Sequence, residues 1–181
     1  MQFEKLDTPR LILRKLTPES YIYLHENLSD SELAAFLGIN SEKAFQREKD
    51  RYTQGYTSFN RSLVNFQLIE KESGAVIGDC GFHTWSPPHH RAEIGYAISD
   101  DIHKQKGYMT EALNAVITYG FTVMGLHRIE ALAAPYNEPS LKLLANMGFK
   151  FEGKLREHYN VDGKMEDSVM YSLLKHEFRN G

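Results

Sequence analysis

A polar, basic stretch with a single glycine connects two regular segments of the sequence. Residues 92–98 alternate in hydrophobicity, which predicts a half-buried strand. Residues 109–124 place apolar side chains three and four positions apart, which predicts a helix with Gly125 as its left-handed cap. The connecting residues 100–110 lead straight into this helix, where unpaired backbone N–H groups and the positive end of the helix dipole favour a phosphate. Gly107 lets a ligand approach the backbone closely because it has no side chain.

The glycine pattern of this stretch resembles that of one particular cofactor loop. Neither of two common nucleotide patterns, G-x-x-x-x-G-K-S/T and G-x-G-x-x-G, occurs in the chain. The run Lys104-Gln105-Lys106-Gly107-Tyr108-Met109 resembles the pyrophosphate-binding loop of the GNAT family, the acetyl-CoA-dependent N-acetyltransferases. That loop reads Arg or Gln, two residues of any type, Gly, one residue of any type, and Gly or Ala. Lys104 and Met109 depart from the pattern, but neither change removes a backbone N–H donor.

The resemblance extends over nearly the whole chain and points to the RimJ/RimL branch of that family. Five runs carry it in the same order: TPRLILRKLTPES, AEIGYAI, KGYMTEAL, NEPSLKLLANMGF and EGKLREHYNVDGKMEDSVMYSLL. That branch acetylates protein N-termini, including those of ribosomal proteins. The resemblance therefore implies acetyl-CoA as co-substrate and an amine acceptor such as a ribosomal or other protein N-terminus.

The resemblance also implies which residues contact acetyl-CoA. They lie on the central strand, in the loop and at the start of the late helix: Tyr96, Ala97, Ile98, Lys104, Gln105, Lys106, Gly107, Tyr108, Met109, Thr110 and Asn137. For Lys104 and Lys106 the alternative is a solvated basic loop. For Asn137 the alternative is that it only caps its helix.

Acetyl transfer from a thioester to an amine has three chemical requirements. The amine must be neutral when it attacks, the carbonyl oxygen must be stabilised as it becomes negative, and the leaving thiolate needs a proton. For the oxygen, the resemblance implies a backbone N–H at residues 96–98. An α-amine has a pKa of about 7.7–8.0 against about 10.4 for lysine, so deprotonating it costs about 3.4 kcal/mol less. A weak base is therefore adequate for a protein N-terminus.

Glu93 is the candidate base, because it lies on the central strand just before Gly95. It resembles the strand-borne glutamate that many family members use through water. An ordinary glutamate, with a pKa of about 4.3, is too acidic to be efficient, so a raised pKa would support this role. The alternative is a surface carboxylate paired with Arg91 or Arg128.

Ser140 is the candidate donor of a proton to the thiolate. The family often places a tyrosine seven residues after the asparagine of the late helix, but that position here is Leu144. Ser140 follows Asn137 by three residues, where the RimL branch also has a serine. The alternative for Ser140 is a first-turn serine that bonds its own backbone.

Four further residues are candidates for the acceptor mouth. The resemblance implies that Arg156, His158 and Tyr159, which precede the Asp162-Gly163 hairpin signal, line this mouth. A packed aromatic in the core or at the rim is the alternative for Tyr159. His83 is the fourth candidate, and it is also an alternative base.

Metal binding and covalent catalysis find little support in the sequence. His89 and His90 are adjacent and point apart on an extended chain, so no metal is expected. Cys80, the only cysteine, fits a small buried thiol better than an acyl carrier, and direct transfer is expected.

The composition indicates an ordinary globular protein. The chain has 181 residues, 41% of them hydrophobic, and a net charge of −3 with no dense Lys/Arg tract. We expect one domain over residues 1–181, no direct nucleic-acid partner and no membrane association. A single cysteine fits a reducing cytoplasm. The sequence leaves open whether the protein is a monomer or a homodimer.

The order of predicted elements is strand, helices, three strands, helix, strand, helix and two strands. Residues 11–16 form the first strand, Thr17 caps a helix, and the helical pattern to about Tyr56 breaks near residues 38–41. This order predicts an α+β fold with a mixed, mostly antiparallel central sheet flanked by helices. The resemblance implies the GNAT fold, with the sheet splayed at the fourth strand and the pantetheine arm in the gap.

Two other functions remain open on the sequence. One keeps acetyl-CoA and changes the acceptor to a small amine, such as a polyamine or an aminoglycoside. The other is a catalytically idle CoA-binding sensor, which the departures at Lys104, Met109 and Leu144 allow.

Overall fold

The computed structural model describes residues 1–56 and 63–178. Their strands and α-helices follow one another as β1 (Lys5–Asp7), β2 (Leu11–Leu16), α1 (Pro18–Asn27), α2 (Asp30–Leu37), α3 (Glu42–Gln54), β3 (Val64–Glu70), β4 (Val76–Ser86), β5 (Arg91–Ile98), α4 (Tyr108–Thr122), β6 (Arg128–Ala133), α5 (Glu138–Asn146), β7 (Lys150–Val161) and β8 (Lys164–Leu174). Short 3₁₀ turns at Pro87–His89 and Asp101–His103 precede and follow β5.

The eight strands form one sheet in the order β1-β2-β3-β4-β5-β6-β8-β7. Every neighbouring pair is antiparallel except β5 and β6, which α4 connects. The predicted α+β fold with a mixed, mostly antiparallel sheet is confirmed. The sequence analysis missed β1, so the central strand expected as the fourth is the fifth, β5.

The sheet opens between β5 and β6. The two strands pair over three residues only, from Arg91 opposite Arg128 to Glu93 opposite Glu130. Beyond these pairs β5 continues to Ile98 and β6 to Ala133, each bonded to the strand on its other side. The predicted splay at the central strand is therefore confirmed, and it leaves two open strand edges facing one another.

Helices cover both faces of the sheet. Leu11 and Leu13 of β2 belong to the cluster packed around α4, whereas Leu16 belongs to the cluster packed around α1–α3. Odd and even positions of one strand point to opposite faces, so the two helical layers lie on opposite sides. None of the helices in the described residues is long and apolar enough to span a membrane.

The predicted helix boundaries are largely confirmed. Thr17 accepts a hydrogen bond from the Ser20 N–H and caps α1, with Pro18 at its first position. The prediction of Gly125 as the cap of α4 was wrong, because the helix ends at Thr122 with Val123 as its C-cap, although Gly125 is left-handed with a φ of 68°. The expectation of one break in the early helical region was incomplete, because α1 also ends before Ser29. Ser29 and Glu32 form a reciprocal capping box, which starts α2 as a separate helix.

Gly120 is expected to be essential for packing α4 on β4. An added Cβ would lie 2.6 Å from Cζ of the buried Phe82 and 3.2 Å from Leu126 Cδ1. Alanine favours a helix over glycine by about 1 kcal/mol, but overpacking costs about 1–3 kcal/mol. We therefore expect Gly120→Ala to lower the free energy of unfolding in urea. Gly153→Ala, where a Cβ meets nothing within 4 Å, should not lower it.

Candidate active site

The splay between β5 and β6 forms an elongated groove of about 1030 Å³. Its walls are the open edges of the two strands, the loop before α4, and the first turns of α4 and α5. Nearly all of the residues predicted to bind acetyl-CoA line it, together with the candidates Glu93, Ser140 and His83: Tyr96, Ala97, Ile98, Lys104, Gln105, Gly107, Tyr108, Met109, Thr110 and Asn137. The sequence thus predicted most of the lining of this groove.

The loop before α4 exposes unpaired backbone N–H groups. Residues 104–107 are exposed, and Gln105 and Gly107 adopt left-handed backbone angles with φ of 60° and 79°. Within residues 1–56 and 63–178, no group accepts a hydrogen bond from the N–H groups of residues 105–110. Gly107 is the N-cap and supplies no side-chain acceptor. These orphan donors and the helix dipole suit a diphosphate chemically.

The side chains of the loop contribute less positive charge than the sequence implied. The Lys104 ammonium lies 2.7 Å from Asp101 Oδ1, which offsets part of its charge. Lys106 is exposed but does not line the groove. Met109, which departs from the family pattern, is half-buried and packs against the main core. The backbone donors therefore dominate this end of the groove.

A direct side-chain contact bridges the gap between β5 and α5. The Tyr96 hydroxyl lies 2.7 Å from Ser140 Oγ, so Ser140 does not bond its own backbone as the alternative reading supposed. Burial raises the pKa of Tyr96, while Ser140 acts against this rise. Asn137 Oδ1 accepts the Ser140 N–H at 3.3 Å and caps α5. The hydroxyl pair places an exchangeable proton inside the groove.

Glu93 lacks the arginine partner that the alternative reading required. Arg91 and Arg128 both bond Glu130, each at 2.8 Å. The Glu93 side chain is 16% exposed, and its nearest basic group is His83 Nε2, 3.8 Å from Oε1. Burial raises the pKa of Glu93 and the nearby Glu130 raises it further, with His158 acting against them. A raised pKa is what a base at this position needs.

His83 reaches the groove through an irregularity in β4. The pairing of β4 with β5 shifts between His83 and Ser86, and Thr84 between them has a φ of 52°. The His83 Nδ1 lies 3.2 Å from Thr84 Oγ1. A Cβ on Gly95 would lie 3.1 Å from His83 Nε2, so the bare glycine makes room for the ring. Burial lowers the pKa of His83, which keeps its ring neutral at neutral pH.

The structure does not bring every candidate to the groove. Tyr159 lies on β7 and is 46% exposed. Partial burial raises the pKa of Tyr159, and the nearby charge of Glu93 raises it further. Its ring centroid is 4.5 Å from that of His158, the neighbouring candidate on the same strand. Arg156 is exposed and lies near Asp167, outside the groove lining. Its role in acceptor binding stays a prediction.

The single thiol is poorly placed for acyl transfer. Cys80 is fully buried in the core, and burial raises the pKa of its thiol well above the ordinary value. Among the described residues no group of three or more His, Cys, Asp or Glu side chains is placed to hold a metal ion.

Sequence reasoning missed two groups beside the groove. Glu130 sits opposite Glu93 on β6, and it could be found only once the strand register was known. Arg10 and Glu111 bond each other at 2.7 Å next to the loop, although 101 positions separate them in the chain. No local sequence pattern predicts a contact between residues so far apart in the chain.

Comparison with known proteins agrees with this geometry. An acetyltransferase (GNAT) domain model matches residues 10–150. An uncharacterized N-acetyltransferase, p20, of Bacillus licheniformis is 38% identical over 97% of this chain and 98% of its own length. The ribosomal protein uS5-alanine N-acetyltransferase of Escherichia coli is 32% identical over 66% of this chain and 62% of its own. The spermidine N(1)-acetyltransferase of Escherichia coli is 28% identical over 92% and 87%.

The matched residues span the groove, the loop before α4 and the strands on both sides of the splay. Both the domain model and p20 cover most of the chain. The chain therefore belongs to the GNAT acetyltransferase family.

Proposed function

We propose that this protein transfers an acetyl group from acetyl-CoA to the α-amine of a protein or peptide, by direct attack without an acyl-enzyme. One observation carries the proposal. A single continuous groove has unpaired backbone N–H donors at one end and a half-buried carboxylate with a raised pKa at the other. The buried, poorly acidic Cys80 supports direct transfer over a covalent route.

The loop end of the groove fits the diphosphate of coenzyme A. Donors at residues 105–110 converge where the dipole of α4 is positive, and both features stabilise phosphate charge. The open edge of β5 beyond Glu93 offers backbone groups to the amides of the pantetheine arm. When bound, acetyl-CoA supplies a thioester whose carbonyl carbon accepts the amine.

The other end of the groove can manage the protons of the reaction. Glu93 takes the proton that the acceptor amine loses, directly or through water, as the N–C bond forms. A backbone N–H at residues 96–98 stabilises the negative oxygen. Ser140, hydrogen-bonded to Tyr96, donates a proton to the thiolate sulfur as the C–S bond breaks. Solvent then takes the proton from Glu93 and returns one to Ser140, so both groups end the cycle in the state in which they began it.

Two observations favour an α-amine over a lysine or another strongly basic amine. At pH 7 about a tenth of an α-amine with a pKa of about 7.7–8.0 is neutral, against less than about 0.1% of a lysine amine, so a single weak base suffices. His83, His158 and Tyr159 lie beside Glu93. The neighbouring carboxylate of Glu130 is already paired with Arg91 and Arg128, so it is not free to hold a polycation. The uS5-alanine relative acts on a protein, as its name says. Because another relative is named for spermidine, a polyamine acceptor is the second candidate.

Replacing Glu93 by glutamine should slow the enzyme and change its pH dependence. Two groups must be deprotonated, the acceptor amine and Glu93. The carboxyl with its raised pKa is protonated, and lost as a base, at a higher pH than an ordinary glutamate. Log kcat/KM should therefore fall with slope one below the amine pKa and slope two below that of Glu93. Glu93→Gln should lower kcat/KM by about 10²–10⁴ and keep slope one throughout.

The matched control for this experiment is Glu72→Gln. Glu72 is exposed in the turn between β3 and β4 and does not line the groove. It should keep the wild-type rate and both slopes. An unchanged profile in Glu93→Gln would reject Glu93 as the base.

A side chain at position 107 should weaken cofactor binding. The φ of 79° at Gly107 strains any residue with a Cβ by about 1–2 kcal/mol, which shifts the loop amides away from the diphosphate. We expect Gly107→Ala to raise the Kd for acetyl-CoA about tenfold by isothermal titration calorimetry. Gly163→Ala adds the same kind of strain in the distant β7–β8 hairpin, with φ of 88°, and should leave this Kd unchanged. Equal affinity in all three proteins would mean that the diphosphate binds elsewhere.

The acceptor class can be tested with a competition assay. Purified protein and acetyl-CoA would be incubated with a mixture of peptides with free N-termini, spermidine and an aminoglycoside, and the products identified by mass spectrometry. We expect acetylation of peptide α-amines, with lysine side chains in the same peptides left unmodified. Preferential acetylation of spermidine would favour the second candidate. Acetyl-CoA binding without any product would support the idle sensor.

A further inference from the structure

An arginine outside the groove is tied to the loop by three kinds of contact. Arg10, directly before β2, donates from Nη1 to the Lys106 carbonyl at 2.8 Å. Its Nε donates to Glu111 Oε2 in the first turn of α4 at 2.7 Å. Its guanidinium lies over the Tyr108 ring, 4.5 Å from the centroid. Arg10 thus holds the loop and the helix start from the side away from the groove.

The partner of Arg10 is itself held in place. Glu111 Oε1 accepts hydrogen bonds from the Thr8 hydroxyl at 2.6 Å and from the Arg10 backbone N–H at 2.7 Å. Burial acts to raise the pKa of Glu111, but these hydrogen bonds outweigh it and lower the pKa. Glu111 is therefore ionised at neutral pH and bonds Arg10 as a charged pair.

The contact with Lys106 has a consequence for the next peptide group. In a planar trans peptide the C=O of one residue and the N–H of the following residue point in opposite directions. Because Arg10 holds the Lys106 carbonyl on its own side, the Gly107 N–H is turned to the opposite side. Gly107 lines the groove and Arg10 does not. The orientation of this N–H is thus set by a residue that does not line the groove.

We infer that Arg10 is a positioning residue for acetyl-CoA: with Glu111 it fixes the Lys106–Gly107 peptide plane so that its N–H faces the diphosphate. This inference rests on the proposed function. Arg10 needs no contact with the ligand, since its charge is already matched by that of Glu111. Its effect should therefore reach only donors that carry a diphosphate.

The test compares two acetyl donors in the full-length protein. Acetyl-CoA carries the diphosphate, whereas S-acetylpantetheine has the same thioester and pantetheine arm without it. In Arg10→Met we expect the KM for acetyl-CoA to rise about tenfold or more with kcat retained, because a charge-assisted constraint on one donor is lost. The kcat/KM for S-acetylpantetheine should stay within about twofold of wild type.

Arg10→Lys is the second variant, because it keeps the charge but cannot bridge Lys106 and Glu111 with a planar fork. Its KM for acetyl-CoA should lie between those of wild type and Arg10→Met. Arg47→Met removes an exposed arginine of α3 and should match wild type with both donors. Thermal melting by circular dichroism checks that the variants fold. If Arg10→Met does not fold, the comparison of the two donors is made with Arg10→Lys.

The outcomes separate this inference from the proposed function. An equal loss with both donors would show that Arg10 only supports the fold, and no loss with acetyl-CoA would show that it has no role; either overturns the inference. Wild-type protein that uses neither donor would instead overturn the proposed function.

Discussion

The early end of the pairing between β5 and β6 is the constraint on which the rest of the structure depends. Where the strands pair, Arg91 and Arg128 both bond Glu130, and Arg128 also bonds Glu152 of β7, two strands away from β6. Beyond Glu93 no ladder joins them, so each strand keeps an open edge. At the far end, Tyr96 and Ser140 span the gap from strand to helix. Side-chain contacts therefore connect the two walls of the groove at both of its ends.

The contacts around Glu130 also affect the pKa of Glu93. Glu130 lies opposite Glu93 in the parallel register and forms ion pairs with Arg91 and Arg128. A neighbour of like charge opposes ionisation of Glu93, so Glu130 adds to the rise in pKa that burial produces. In the same network Arg128 lowers the pKa of Glu152 to about 2. The same group of ion pairs thus lies where the two strands pair and contributes, through Glu130, to the raised pKa of Glu93.

Local signals in the sequence were read correctly, and nonlocal contacts were not. Thr17-Pro18, Asn137 and Asp162-Gly163 each determine backbone geometry within a few residues, so their positions could be predicted. The positive φ of Gly107 in the loop before α4 is a local feature of the same kind. Arg10 with Glu111, and Glu93 with Glu130, depend on strand order and register, which one sequence does not specify. The second break before α2 was readable from the Ser29–Glu32 capping box but was overlooked.

The backbone is strained at the bulge of β4, beside the end of the groove that holds Glu93. A β-branched residue at positive φ is a genuine outlier, and such strain costs about 1–3 kcal/mol. Thr84 adopts this conformation at the bulge that turns His83 over Gly95, and its hydroxyl lies within hydrogen-bonding distance of the His83 ring. A regular β4 would avoid the strain. The surrounding sheet instead holds Thr84 in its strained conformation, and the His83 imidazole lies 3.8 Å from Glu93 at the groove. The bulge in β4 and the absence of a side chain at Gly95 together place this imidazole beside the partly buried Glu93 carboxylate.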